Sequence, residues 1–297
     1  MALLPFVIQP PGDANTVLAT ARQAAHQWSL PEPHLLRIGM NALFAAGDDV
    51  VLRIGRPTAD PHSAIWLAEH LTGLGIRTPR YARSLPIVIG ELTVYGMHRE
   101  HIVGPVDWAQ VGKMVARLHS IDPASVAGRY PTPWCSSFPW WAFDELLADV
   151  GEMLDSAARR GIQSAVDRNA TWQDRAQSAV LCHGDVHPGN VLQTANGPML
   201  IDWDLMCLGP AGWDHAPMMT WTERWGGDAG VYQAFADGYG QSMRGDPVAE
   251  SLAELRLVAA TLMRVRAGRH DAAAADEAER RLRWWRGERD APPWHAM

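Results

Sequence analysis

Three polar residues stand out by type and spacing. The segment Leu181-Cys-His-Gly-Asp-Val-His-Pro-Gly-Asn-Val-Leu192 sets Asp185 and Asn190 five residues apart, in a loop that Pro188-Gly189 keeps from coiling into a helix. The apolar runs 191–193 and 199–201 flank Asn196-Gly197, a strong hairpin signal, and the return strand delivers Asp202 at its end. Phosphoryl transfer needs one carboxylate to orient an acceptor hydroxyl and take its proton. It also needs a second carboxylate and an amide oxygen to hold Mg2+ against the phosphates. Asp185 fits the base, Asn190 the amide ligand and Asp202 the principal metal ligand. The same segment spells His183-x-Asp185-x-His187, which a metallohydrolase would use to hold zinc or a metal pair. That reading leaves Asn190 and Asp202 without a role. A catalytically inactive, nucleotide-binding regulatory protein is a third reading, set against the presence of all three polar groups.

These residues need elements to hold them. Asp13 can cap a helix running to about residue 28. Short apolar runs at 35–38, 43–46 and 50–54, separated by Gly39 and Gly47-Asp48-Asp49, read as three strands. Pro61 opens a helix to about residue 74, and 86–89 with 91–97 form a hairpin about Gly90, followed by a strand-like crossover near 95–104. From Asp107 the period lengthens: Val111, Met114, Val115 and Leu118 mark a helix over 107–121. The proline-bearing stretch 130–139 is a loop, helices follow at 141–160 and 164–178, and 213–287 is again mostly helical around the polar insert 181–212. The class is α+β: a small β-rich lobe over residues 1–100 and a larger, mainly helical lobe over 101–297.

His183-Gly-Asp185, Asn190 and Ile201-Asp202, with Gly209-Pro-Ala-Gly-Trp213-Asp214 after them, resemble the signature of the aminoglycoside phosphotransferase-like family. Those small-molecule kinases share the protein-kinase-like bilobal fold, and the resemblance spans about residues 35–240. It implies transfer of the γ-phosphate of ATP or GTP, with Mg2+, to a hydroxyl of an aminoglycoside, an amino sugar, a choline-like alcohol or a related acceptor. It carries the catalytic role to Asp185, the metal to Asn190 and Asp202, and a structural role in the loop to His183. Arg53 stands where the kinase-like strand usually offers lysine to the α- and β-phosphates, and a guanidinium can grip phosphate bidentately. Arg56, past the strand, is expected in solvent. Glu69 is a candidate partner for Arg53, and Asp214 a loop organiser. Ile38-Gly-Met-Asn-Ala-Leu-Phe44 has one glycine and no GxGxxG, so Asn41 is the phosphate-loop candidate; Met97 is an apolar contact for the base. Asp204, Trp203, Trp221, Glu223 and Trp225 are candidates for the acceptor site.

Composition bounds the rest. The chain has 297 residues, 47% hydrophobic and 20% charged, enough for a sizeable core. A net charge of −7 argues against nucleic acid as a partner. No run approaches the roughly 18 apolar residues of a membrane span. Cys135, Cys182 and Cys207 form no spaced cluster, which suits free thiols in a reducing compartment, and the expected location is the cytoplasm. The N-terminal apolar stretch lacks a basic flank and runs into Pro10-Pro11, so it is not read as a signal peptide.

Overall fold

The computed structural model describes residues 10–295, and the apolar N-terminal stretch discussed above falls outside them. Among the described residues no helix is long and apolar enough to cross a membrane. In chain order the strands are β1 (His34–Ile38), β2 (Ala42–Ala45), β3 (Val50–Gly55), β4 (Ile87–Ile89), β5 (Leu92–His98), β6 (Val180–Cys182), β7 (Val191–Thr194), β8 (Gly197–Leu200) and β9 (Cys207–Gly209). The chain divides into two compact units. One holds the residues up to 106 with 124–132 and 192–204; the other holds 107–123, 133–191 and 205–297.

The first unit is built on an antiparallel sheet of order β1-β2-β3-β5-β4. Helix α1 (Ala14–Gln27) opens where Asp13 accepts the Thr16 N–H, and lays Val17, Ala21 and Ala24 on the sheet. Helix α2 (Pro61–Gly73) is capped by Asp60 and begins with Pro61. Along β3, Val50, Leu52 and Ile54 are buried in the core with α1, whereas Val51 and Arg53 alternate with them. Fully burying Leu52 and Ile54 stabilises by about 1.5–3 kcal/mol each, so the register that keeps Arg53 off the core face is fixed. The hairpin of β7 and β8 forms about Asn196-Gly197, as its sequence predicts.

The second unit is helical: α3 (Trp108–His119), α4 (Phe143–Val150), α5 (Ser156–Arg168), α6 (Trp172–Arg175), α7 (Gly212–Met219), α8 (Trp221–Trp225), α9 (Val231–Tyr239), α10 (Pro247–Ala267) and α11 (Ala272–Trp285). The long α10 packs against α4, α5, α6, α7 and α11. Its Val258 and Leu262 share a core with Val150, Ile162, Leu282 and Trp285. Helices α3 and α9 cross at two glycines: a Cβ on Gly112 would lie 1.9 Å from the Phe235 carbonyl oxygen, and one on Gly238 1.9 Å from that of Ala109. Strands β6 and β9 pair antiparallel, with Cys182 opposite Cys207.

The expected helices 141–160 and 164–178 are divided differently. Asp155 accepts the N–H groups of Ala157 and Ala158 at 2.9 and 3.0 Å and starts α5 afresh after α4 has ended at Val150. Leu154, in the break, packs into the same core as the helices, so the apolar period runs on through it. Past Arg168 only the single turn of α6 follows. The crossover strand ends at His98; beyond it Ile102 makes one isolated bridge, to Thr194.

Candidate active site

In the first unit one arginine gathers two carboxylates. Arg53 Nη2 donates to Asp202 Oδ1 at 3.1 Å and also to Asp204 Oδ2. Burial works against the Arg53 charge, but Asp204 and Asp202 more than compensate and hold its pKa above the ordinary value. Around the pair, burial pushes the Tyr81 hydroxyl up to about 12 and raises Tyr95 and Tyr130 as well, so all three stay neutral. The Tyr130 hydroxyl donates to the Trp203 carbonyl at 3.3 Å, and Trp203 Nε1 to that of Leu200 at 3.0 Å. Asp202 has φ +65°, a left-handed conformation that costs a non-glycine residue roughly 1–2 kcal/mol and that Asp tolerates better than most.

Two expectations about this unit are corrected. The carboxylates on Arg53 are Asp202 and Asp204, and Glu69 is an exposed residue of α2. Arg56 is not in solvent: its side chain is 20% exposed and donates to Glu91 at 2.6 Å. Strand β3 runs on to Gly55, paired with Thr93, which brings Arg56 beside the β4–β5 turn. Asp204, a candidate for the acceptor, is engaged by Arg53 instead. Asn41 lies against Gly55, its Oδ1 buried without a hydrogen-bond partner among the described residues, and Met97 pairs with Val51 in the sheet.

In the second unit the loop after β6 is held from beneath. Asp214, fully buried, accepts the His183 N–H on Oδ2 and the Gly184 N–H on Oδ1, both at 2.8 Å. His119 Nε2 lies 3.1 Å from Asp214 Oδ2, and its Nδ1 lies 2.9 Å from the Tyr239 hydroxyl. Burial opposes the charge on both partners, yet the hydrogen bond between them lowers the Asp214 pKa and raises that of His119 to about 9. His183 is buried, and its Nδ1 accepts the Asp185 N–H at 3.3 Å. Gly184 has φ +95°, and a Cβ there would sit 2.0 Å from the Leu205 carbonyl oxygen, so no other residue fits.

This frame presents Asp185. Its Oδ1 accepts Arg256 Nη2 at 2.5 Å; its Oδ2 lies 3.3 Å from His187 Nε2 and 3.2 Å from Asn190 Nδ2. Burial raises the Asp185 pKa, but His187, Arg256 and His183 outweigh it and hold the carboxyl well below the usual range. Asn190 Nδ2 also donates to the Asp185 carbonyl at 2.9 Å. Both partners are oxygens that can only accept, which fixes the amide orientation and turns Asn190 Oδ1 the other way. That amide oxygen is a hard ligand of the kind Mg2+ takes, and so, by its chemistry, is each oxygen of the Asp202 carboxylate. Asp202 belongs to the first unit, Asp185 and Asn190 to the second. The zinc reading of His183, Asp185 and His187 finds no support. Among the described residues the side chains near enough to share a cation are His119, Cys182 and Asp214.

Of the remaining acceptor candidates, Trp221 stacks on His187 and on Trp225, with centroids 6.0 Å apart in each case. Glu223 is exposed, 3.4 Å from Arg244. Sequence reasoning missed Arg256 and His119. Neither belongs to a motif; Arg256 reaches the loop directly from α10, and His119 braces it through Asp214 from α3.

A model of the phosphotransferase enzyme family (APH) matches residues 42–254. No curated protein sequence matches the chain significantly. The GDP complex of wild-type aminoglycoside 2'-phosphotransferase-IIIa is similar in structure, with a TM-score of 0.68 and 17% identity over 92% of this chain and 99% of that one. Spectinomycin phosphotransferase APH(9)-Ia, in complex with ADP and spectinomycin, gives 0.64 and 16% over 94% and 95%. Macrolide 2'-phosphotransferase MphH from Brachybacterium faecium gives 0.54 and 19% over 89% and 97%. At these identities the structural likenesses speak for the fold: a small antiparallel sheet lobe and a helical lobe, as the sequence led us to expect. The family match covers most of the chain, and with it the chain belongs to the phosphotransferase enzyme family, as a small-molecule kinase.

Proposed function

We propose that this protein transfers the γ-phosphate of ATP or GTP to a hydroxyl of a small polyhydroxyl or amine-bearing acceptor, of the aminoglycoside, amino-sugar or choline-like kind. The observation that carries this reading is the Asp185 carboxylate. It is anchored on one oxygen by Arg256, and its side chain is still 30% exposed. Asp185 orients the acceptor hydroxyl and receives its proton at Oδ2. Its low basicity suits a reaction whose transition state is loose, where orientation and electrostatics outweigh proton abstraction. Asn190 Oδ1 and Asp202 would hold Mg2+, which when bound neutralises charge on the β- and γ-phosphates. Arg53 grips the α- and β-phosphates, exchanging part of its hold on Asp202 and Asp204 for them. Asn41 faces the phosphates and Met97 the base. His183 keeps the loop in shape.

Residues 1–100 serve the nucleotide and 101–297 the acceptor, with Trp221, Trp225 and Glu223 offering flat faces and a carboxylate to an amine-bearing ring. Trp203 and Asp204 remain weaker acceptor candidates, given their present contacts. The ligands named for similar structures, ADP and spectinomycin in one and GDP in another, support a nucleotide donor and an antibiotic-like acceptor. The reading also carries a cytoplasmic location.

A phosphate-transfer screen tests it. Mg·ATP and Mg·GTP are offered with spectinomycin, gentamicin, hygromycin B, a macrolide, glucosamine, choline and homoserine, and a phosphorylated product is sought by mass spectrometry. Transfer to at least one acceptor is expected. Nucleotide binding with no product from any acceptor would favour the inactive regulatory protein.

A further inference from the structure

Arg256 comes from the middle of α10, and its side chain is only 12% exposed. Its two terminal nitrogens divide their work: Nη1 donates to the Gly184 carbonyl at 3.0 Å and Nη2 to Asp185 Oδ1 at 2.5 Å. The guanidinium carbon lies 5.3 Å from the ring centroids of both Trp140 and Trp213. The rings themselves are 5.7 Å apart and tilted by 34°. Flanking residues Leu255 and Leu257 are buried, so the helix cannot roll to carry the group elsewhere. A planar, always-charged fork held by two indoles and by one backbone and one side-chain acceptor is pre-organised, and lysine could not reproduce it. The other Asp185 oxygen has, among the described residues, the longer contacts to His187 and Asn190.

We propose that Arg256 is a positioning residue for the transfer reaction: it fixes the Asp185 carboxylate in one rotamer by occupying Oδ1, so that Oδ2 is the oxygen presented to the acceptor hydroxyl. This rests on the reading of Asp185 given above. Arg256 acts through Asp185 rather than on the reacting atoms. Its loss acts on kcat through misalignment of the base, where an error on the order of 1 Å costs roughly 100-fold, and leaves both KM values nearly unchanged.

The test uses the full chain with Mg·ATP and those acceptors of the screen, spectinomycin first, that are turned over. Arg256→Gln is expected to lower kcat by roughly 10–100-fold with nucleotide and acceptor KM within about threefold, and Arg256→Lys to recover part of the loss. Trp140→Leu, which removes one wall without touching the carboxylate, should lower kcat less; it serves as the probe if Arg256→Gln does not fold. A crystal structure of a folded variant gives a readout that needs no acceptor, with the Asp185 side chain expected in more than one rotamer. An unchanged kcat, a loss confined to KM, or Asp185 held in its original rotamer would each overturn the proposal. Asp185→Asn is run alongside. If it turns over normally, the reading of Asp185 has failed. If it is inactive while Arg256→Gln is fully active, only the present inference falls.

Discussion

Asp185 and Asp202 are both carboxylates with an arginine on them, and they are held in opposite ways. The loop carrying Asp185 is fixed before any ligand arrives: Asp214 ties down two backbone N–H groups, His119 braces Asp214, and Arg256 takes one carboxylate oxygen. These supports come from α7, α3 and α10, and the charges are buried or nearly so. Asp202 instead ends a hairpin, in a left-handed conformation, and its arginine, Arg53, is shared with Asp204 and has a second task in the proposed reaction. In the proposed reaction the first carboxylate stays where it is and the second changes partners. Substitutions near Asp185 should therefore appear in rate, and those near Asp202 in binding.

The sharpest break of that comparison is at Asp185. Asp185→Asn keeps the shape but loses the proton acceptor, and kcat should fall about 10²–10⁴-fold while nucleotide affinity stays within a few-fold. Steady-state kinetics and calorimetry together decide it. A loss that appears in nucleotide affinity instead would put Asp185 on the binding side.

On the other side, Asp202→Ala should weaken Mg2+-dependent nucleotide binding more than Asn190→Ala does, because a charged oxygen contributes more to a divalent site than an amide. Asp202→Ala also leaves Arg53 to Asp204 and places alanine in a left-handed conformation that Asp tolerates better. Without Mg2+, binding by the two variants should be similar. The reverse order with Mg2+, or zinc in the purified protein, would count against the assignment.

Arg53→Ala follows with a smaller effect, a rise in nucleotide KM of roughly 10–100-fold if one charged hydrogen bond, worth about 1.5–3 kcal/mol, is lost. Arg53→Lys should fall between. Arg56→Ala removes a pairing with a highly exposed glutamate, worth about 0–1 kcal/mol, and should barely move KM. If Arg56→Ala is the damaging change, the assignment of the β3 arginine is wrong.

What could be read in the sequence follows from the same contrast. The loop that carries Asp185 and Asn190 and the hairpin that ends at Asp202 were legible because they are contiguous and each turn has its own chemistry in Pro188-Gly189 and Asn196-Gly197. The first sheet was legible because its strands alternate or run apolar between turns. Arg256 and His119 were not, since their partners lie 71 and 95 residues away and a helical period marks both simply as positions on a helix face. The pairing of Arg53 with Asp202 and Asp204 was hidden for the same reason, and Glu69 was a candidate as the single acid of the helical stretch 61–74. The break at Leu154–Asp155 was missed because the core it borders is continuous.

The His119–Asp214 pair sets the smallest effect, a pH dependence of stability. The folded His119 pKa is raised to about 9 from an ordinary 6.5, because Asp214 first and Cys182 after it outweigh burial. A raised pKa means that the folded state binds the proton more tightly. The stabilisation is complete below about pH 6.5 and is lost as the pH climbs through 9. Three of the neighbours are shifted out of that window. Burial, with the His119 charge, holds His215 down to about 4; burial pushes Tyr239 up to about 12 and raises Cys182 well above its ordinary value. His119→Gln keeps a donor toward Asp214 and removes the charge. It should melt below the wild type at pH 6.5, by a few degrees for a contribution of about 1–3 kcal/mol, and the two melting curves should converge near pH 9.5. Groups elsewhere titrate alike in both proteins, so the difference between them isolates the pair. Parallel curves across the window would mean that His119 is neutral in the fold, and that the base loop is braced by ordinary hydrogen bonds rather than by a buried charge.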